Sequence, residues 1–397
     1  MGKIELDHTG SGGGITLSSD GTSLLLDGSA VGGSALELYA ENPSSPTAPS
    51  ALGTNGIAIG DNAQALNFDD ALAIGSSSLA NNIQTQAVGR DTSATGSRSS
   101  AFGRSATASN SWSTAVGYGP TASGTSSLAL GRSATATGDY STAITNSYAS
   151  GAAAFAAVIT NSTSSYGATG ANSIAIGDRA KATSSNTLAA GSLTTSSGGD
   201  GSTALGYLSS ATGLASFTAG HNCTASGKWS QALGYGATTQ SISGKLAKAN
   251  GYFSSAGDAQ YGVLVLRKQT SDATPAALIS EITPFVTTGN TTNQIILPNN
   301  SAYSFSGTII ARESATDGSD YASWEIKGAL LRDANAASTV LGNGIVNKLY
   351  ATSGASAWAV ALSADTTNGG LKVEVTGAAA TNIRWVATVN TSEVTYA

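Results

Sequence analysis

Between Gly56 and about Gly244 the sequence repeats every 14 residues, and no other feature constrains the fold as tightly. Each repeat is marked by Ala, an apolar residue and Gly. The marks are Ala58-Ile59-Gly60, Ala73-Ile74-Gly75, Ala87-Val88-Gly89, Ala101-Phe102-Gly103, Ala115-Val116-Gly117, Ala129-Leu130-Gly131, Ala175-Ile176-Gly177, Ala189-Ala190-Gly191, Ala204-Leu205-Gly206, Thr218-Ala219-Gly220 and Ala232-Leu233-Gly234. Two degenerate copies, Ala143-Ile144-Thr145 and Ala157-Val158-Ile159, fill the gap in the series. Thirteen marks give twelve intervals; nine are 14 residues, two are 15 and one is 18, so the register survives to the end.

Each repeat has a second half. Seven residues after the marker Gly stands another Gly (Gly96, Gly124, Gly138, Gly198, Gly213, Gly227), with Asn110 and Ser184 in the same slot. Small residues sit three and five places after the marker, as in Ala106 with Ala108 and Ala180 with Ala182. Alternation is the period of a strand, and Gly permits turns with positive φ. The spacing predicts two strands of about five residues and two turns, closing one flat coil. Stacked about 4.8 Å apart, thirteen coils would make a rod roughly 60 Å long.

The coil is too thin to hold more than Ala inside. The larger residues before each marker Gly (Ile59, Ile74, Val88, Phe102, Val116, Leu130, Ile176, Leu205, Leu233) point to the other side of the strand. Both sides therefore read as buried, which one thin coil cannot achieve. Coils of different chains are expected to pack together, most simply as a closed cyclic oligomer.

With these residues in view, the pattern resembles the head repeat of YadA-like trimeric autotransporter adhesins. Asn172-Ser173-Ile174-Ala175-Ile176-Gly177 and Asn55-Gly56-Ile57-Ala58-Ile59-Gly60 carry the resemblance, which covers 56–244. It implies a left-handed parallel β-roll assembled as a homotrimer. The same roll is found in phage tail fibres.

Composition narrows the function. Of 397 residues 11% are charged, the net charge is −6 and no basic run occurs, so nucleic acid is not an expected partner. Cys223 is the single cysteine, which excludes an intrachain disulfide framework. It occupies the small-residue slot after a marker and reads as a buried residue. Met1 to Leu6 lacks the apolar run of a signal peptide, and no 18-residue apolar stretch offers a membrane span. These readings favour a particle component made in a host cytoplasm over an exported, anchored adhesin.

The remaining chain is read in order. Residues 1–40 hold short alternating runs between Gly-rich turns, a small β attachment segment that resembles those of phage fibres and contains the lone His8. Residues 41–55, with Pro43, Pro46 and Pro49, form a Pro/Ser linker. The roll occupies 56–244, and its irregular stretch 145–172 reads as a bulged loop. Trp112 and Trp229 fall in the turn half of their coils; local packing between coils is set against a stacking surface for sugars. Residues 245–262 form a neck. Residues 263–397 carry short strand-like runs separated by turns and are expected to be an antiparallel β-sandwich, with Trp324, Trp358 and Trp385 in its core or at a subunit interface.

No catalytic arrangement emerges. His8 and His221 are the only histidines, no cluster has metal-ligand spacing, and no cofactor motif occurs. Glu313, Asp317 and Asp320 read as a solvated turn, not as a glycosidase carboxylate pair. The expected function is adhesion by a phage tail fibre: a non-enzymatic, homotrimeric virion protein. Its N-terminal segment would dock on a tail or baseplate protein. Its C-terminal loops, with Arg312, Glu313, Asp317, Asp320, Arg332 and Asp333 as candidate contacts, would meet a host cell-surface glycan or outer-membrane protein. The alternatives are a virion spacer without receptor, a bacterial trimeric adhesin, and, from the aligned Ser93, Thr107, Thr121 and Thr135, an ice-binding ladder.

Overall fold

The computed structural model describes residues 4–6, 15–19, 24–26, 29–30 and 37–38 by their backbone, and residues 45, 47–66, 68–158, 165–281 and 288–396 in full. His8, Pro43 and Pro46 lie outside the described residues, as does the middle of the 145–172 stretch. The chain is all-β, with a single 3-10 turn at Ala336–Ser338 among the described residues. It divides into two compact units, 1–153 and 154–397.

The first unit opens with four short antiparallel strands, Ile4–Leu6, Ile15–Ser19, Leu24–Leu26 and Ser29–Ala30, paired in chain order. Stacked coils follow. Marker strands such as Gln86–Val88, Ser100–Arg104 and Thr114–Tyr118 pair in parallel with Ala on Ala at each step. The second strands, such as Ser93–Ala94, Thr107–Ala108 and Thr121–Ala122, make their own parallel sheet. These second strands are two residues long, not five, because the two corners take up the remaining chain. The stack also starts one coil before Gly56. Glu37–Leu38 pairs on Ala58 and Ile59, and Ser50–Ala51 on Gln64 and Ala65. The supposed linker thus contains a strand of the first coil.

Small residues shape the coil. Inward Ala from both strands, including Ala101, Ala108, Ala115 and Ala122, is 0% exposed. The buried Ser of the repeat caps the preceding corner: Ser113 Oγ donates to the Asn110 carbonyl at 2.6 Å, and Ser173 Oγ to that of Gly170 at 2.6 Å. The two glycines of the repeat serve different ends. Gly117 has φ 133°, and a Cβ there would stand 2.4 Å from the Gly131 carbonyl oxygen. Gly124 has no positive φ; a Cβ there would stand 2.0 Å from the Gly138 oxygen, so close stacking alone requires it. The left-handed corners fall instead on non-glycine residues, among them Arg98, Trp112, Ser126 and Tyr140, with φ between 55° and 61°.

The outward side is left uncovered by the single chain, as a coil too thin to bury both of its sides requires. Residues before the marker Gly are only half-buried in the single chain, and Leu130 and Ile176 are each 39% exposed. Within one chain the alternation is satisfied on the Ala side.

The second unit contains further coils, from Phe155–Ala157 to Gln231–Tyr235. Ala157 pairs with Ile176, so the degenerate mark is Ala156-Ala157-Val158, one residue earlier than the sequence spacing suggested. The stack runs past Lys245, where the period is lost. Strand β1 (Leu246–Asn250) pairs in parallel on Gln231–Tyr235, with Ala249 opposite the marker Gly234. β1 then pairs antiparallel with β2 (Ala259–Thr270), so one sheet changes from parallel to antiparallel at this point. β2 runs straight through residue 262, where the neck was expected to end.

The long strands continue as β3 (Ser301–Glu313), β4 (Tyr321–Arg332) and β5 (Ile345–Ala351), then β6 (Ala359–Asp365), β7 (Gly370–Thr376) and β8 (Ile383–Thr395). β8 is one strand of 13 residues where the sequence suggested two. The first sheet has the order β1-β2-β8-β3-β4-β5. β6 and β7 pair in a second sheet, joined by the short strands Ala276–Ala277 and Ile295–Ile296. The core lies between the two, formed by Leu264, Phe305, Trp324 and Trp385 from one sheet and Leu371, Val373 and Val375 from the other. Trp324, Trp358 and Trp385 are core residues, at most 1% exposed, with Trp385 5.4 Å from Trp324 and 5.9 Å from Trp358.

Candidate binding surface of the C-terminal unit

The β3–β4 hairpin turns at residues 314–320, at the end of the long strands away from β1. Its acidic residues hold the turn. Asp320 N–H donates to Glu313 Oε2 at 3.2 Å, and Asn382 N–H donates to Asp317 Oδ2 at 2.9 Å. The Glu313 N–H donates to the Asp320 carbonyl, and the Ser314 N–H to that of Asn382. Glu313 therefore closes the turn on itself, and Asp317 ties it to Asn382, the residue before β8.

The six candidate contacts do not form one site. Arg312 pairs with Tyr321 at one end of the hairpin, and Arg332 pairs with Ser301 at the other. Eleven residues of strand separate them, about 36 Å. At that second end the Arg332 guanidinium donates to the carbonyls of Leu297 and Gly369, and Asp333 engages Ser338 and Asn300 through its backbone. These two residues brace the sandwich near the β1 end. Arg312, Glu313, Asp317 and Asp320 stay together.

Around Arg312 the fold gathers residues that the sequence keeps far apart. Gln269 on β2, Arg384 on β8, Arg312 on β3 and Tyr321 on β4 are successive cross-strand partners and share one face. Arg384 Nε donates to Gln269 Oε1 at 3.2 Å. Tyr321 stacks on Tyr350, ring centroids 5.1 Å apart. A cleft of about 520 Å³ lies here, lined by Gln269, Arg312, Glu313, Ser314, Ala315, Asn382 and Arg384. Strand-like runs were legible in the sequence; the pairing of β2 with β8, more than a hundred residues later, was not.

The coils present a second set of exposed rings. Trp112 and Trp229 are 56% and 46% exposed on the single chain, and Trp112 also packs on the coil before it. The Arg98 guanidinium lies 4.7 Å over the Trp112 ring. Tyr207, His221 and Tyr235 follow their marker glycines on successive coils, with centroids 5.0 and 4.6 Å apart, and Tyr235 meets Tyr252 at 5.2 Å. Tyr235 donates to the Tyr252 hydroxyl at 3.5 Å, a bond that raises its phenol above the usual range. Ser93, Thr107, Thr121 and Thr135 do stand in register, but the next residue of that column is Tyr148. Cys223 is fully buried, and its Sγ donates to the Gly234 carbonyl. No group of three or more His, Cys, Asp or Glu is placed to hold a metal among the described residues.

The coils, their Ala interior and their marker glycines define the class. The YadA head domain repeat matches residues 51–78, 94–119, 122–144, 168–194 and 197–217. No curated protein matches the chain. The protein thus carries YadA head repeats folded as a parallel β-solenoid, with an antiparallel β-sandwich at its C-terminal end.

Proposed function

We propose that the protein is a homotrimeric adhesive fibre of a phage tail. Its N-terminal segment would join a tail or baseplate protein, and its C-terminal unit would contact a glycan or outer-membrane protein of the host cell. The observation that carries the trimer is the outward apolar column of the coils. Its residues, Leu130 and Ile176 among them, stay half-exposed in one chain on a repeat whose family assembles in threes. Three copies of one weak site acting together would give avidity without high single-site affinity. No catalytic step enters this reading.

Sedimentation of the purified chain tests the assembly. The expected mass is 117 kDa, three copies of 39.0 kDa; a 39.0 kDa species would end the fibre reading. An antibody raised to the 314–320 loop tests the adhesive end. Blocked adsorption to host bacteria supports it, whereas undisturbed adsorption leaves a spacer without receptor role. The repeats serve a bacterial surface adhesin equally well. Immunogold labelling separates the two, with label on virions in the proposed case and on the bacterial surface in the other.

A further inference from the structure

The outer face of the C-terminal sheet concentrates positive charge in an otherwise acidic chain. Arg312 and Arg384 are direct cross-strand partners. Arg267 lies on the same face of β2, two residues before Gln269, opposite Val386. All three are exposed. None of them has an ion pair among the described residues, where the salt bridges involve other cations. Like charges directly opposite one another in a sheet lower its stability. Glu313 also lines the cleft, but neither it nor Asp317 forms an ion pair with these arginines; their oxygens accept the backbone N–H groups of Asp320 and Asn382.

The neighbours add a second kind of recognition. Tyr321 extends the row past Arg312 and is held by its stack on Tyr350. A guanidinium presents paired N–H donors that match the two oxygens of a carboxylate or phosphate. A tyrosine ring offers a flat apolar surface with a polar edge, suited to the face of a pyranose. Gln269, Ser314 and Asn382 supply neutral hydrogen-bonding groups to the same cleft.

We propose that this cleft binds a saccharide bearing carboxylate or phosphate groups, with Arg312 and Arg384 on the anion and Tyr321 against the sugar ring. The inference deepens the adhesive reading and rests on it for its biological meaning. The test uses the full-length chain in biolayer interferometry on immobilised polygalacturonate, a poly(ribitol phosphate) wall polymer and neutral dextran. Binding to either charged polymer, weakened by salt and absent on dextran, is the expected result; which polymer binds identifies the anion. The double variant Arg312→Gln/Arg384→Gln should lose about tenfold or more in affinity, and Arg312→Lys/Arg384→Lys should recover only part of it. Sedimentation of each variant should give the mass of the unaltered protein.

Two results would overturn the site: no binding to either charged polymer, or a double variant of unaltered mass that binds as tightly as the parent. A chain that adheres to bacteria yet ignores both charged polymers removes this site and keeps the adhesive function. One that binds a charged polymer and adheres to no cell does the reverse.

Discussion

A coil of 14 residues leaves room inside for methyl groups and little else. Ala115 is 0% exposed, and the facing positions are Ala as well, so Ala115→Leu must force the coil open. Overpacking of this kind costs about 1–3 kcal/mol or more. Urea unfolding should show the loss. Gly124→Ala is a sharper case. Its φ is not the obstacle; the added methyl would meet the Gly138 carbonyl oxygen at 2.0 Å. A backbone oxygen cannot swing away as a side chain can, so Gly124→Ala should cost more than Ser126→Ala at the neighbouring exposed corner. The same unfolding experiment compares them.

The junction between the coils and the sandwich is an element-scale problem, solved by a buried polar cluster. Lys245 is fully buried; its Nζ donates to Glu393 Oε2 and to Gln240 Oε1, each at 2.8 Å. Gln260 and Thr391 complete the Glu393 carboxylate. Burial pushes the Lys245 ammonium below its usual range, and the Glu393 charge and hydrogen bond oppose that shift. Lys245→Ala strands Glu393 in the interior and should cost about 3–5 kcal/mol in thermal or urea unfolding. Replacing both partners by apolar residues should cost less, because no charge is then left unpaired. The 253–258 turn that precedes β2 responds to acid. Burial raises the Asp258 carboxyl, but the N–H groups of Ser254, Ser255 and Phe253 outweigh it and hold the group below the usual carboxylate range. A depressed carboxyl stabilises the fold above its unfolded pKa, and that stability is lost as pH falls through about 3.9 towards the folded value. Asp258→Asn should therefore flatten the decline in melting temperature between about pH 5 and pH 3.

For the molecule as a whole, the outward column matters more than any single core residue. If assembly covers it, native stability includes association, and the melting temperature should rise with protein concentration. Leu130→Asp/Ile176→Asp should shift the sedimenting species from 117 kDa, three times 39.0 kDa, towards 39.0 kDa. The coil interior is untouched by these changes, so far-ultraviolet circular dichroism should still report a β fold at low temperature. A variant that keeps the 117 kDa mass would mean that the column is not the contact.

The sequence by itself determined the coils. A strict period with Ala inside and Gly at each close approach admits one local solution, and hydrogen bonds to the next copy repeat it. It lost the stack where the period lapses, at Glu37–Leu38, at Ala156-Ala157-Val158 and at Leu246–Asn250, because there the neighbouring coil supplies the register that the residues no longer mark. In the C-terminal unit it showed short strand-like runs but not their partners. Only the tertiary structure brought Gln269 and Arg384 to either side of one sheet row and set Arg312 beside them, while sending Arg332 to the opposite end. The physical reason is range: alternation and turns act over a few residues, whereas the pairing of β2, β8 and β3 depends on a core that all of them must bury at once.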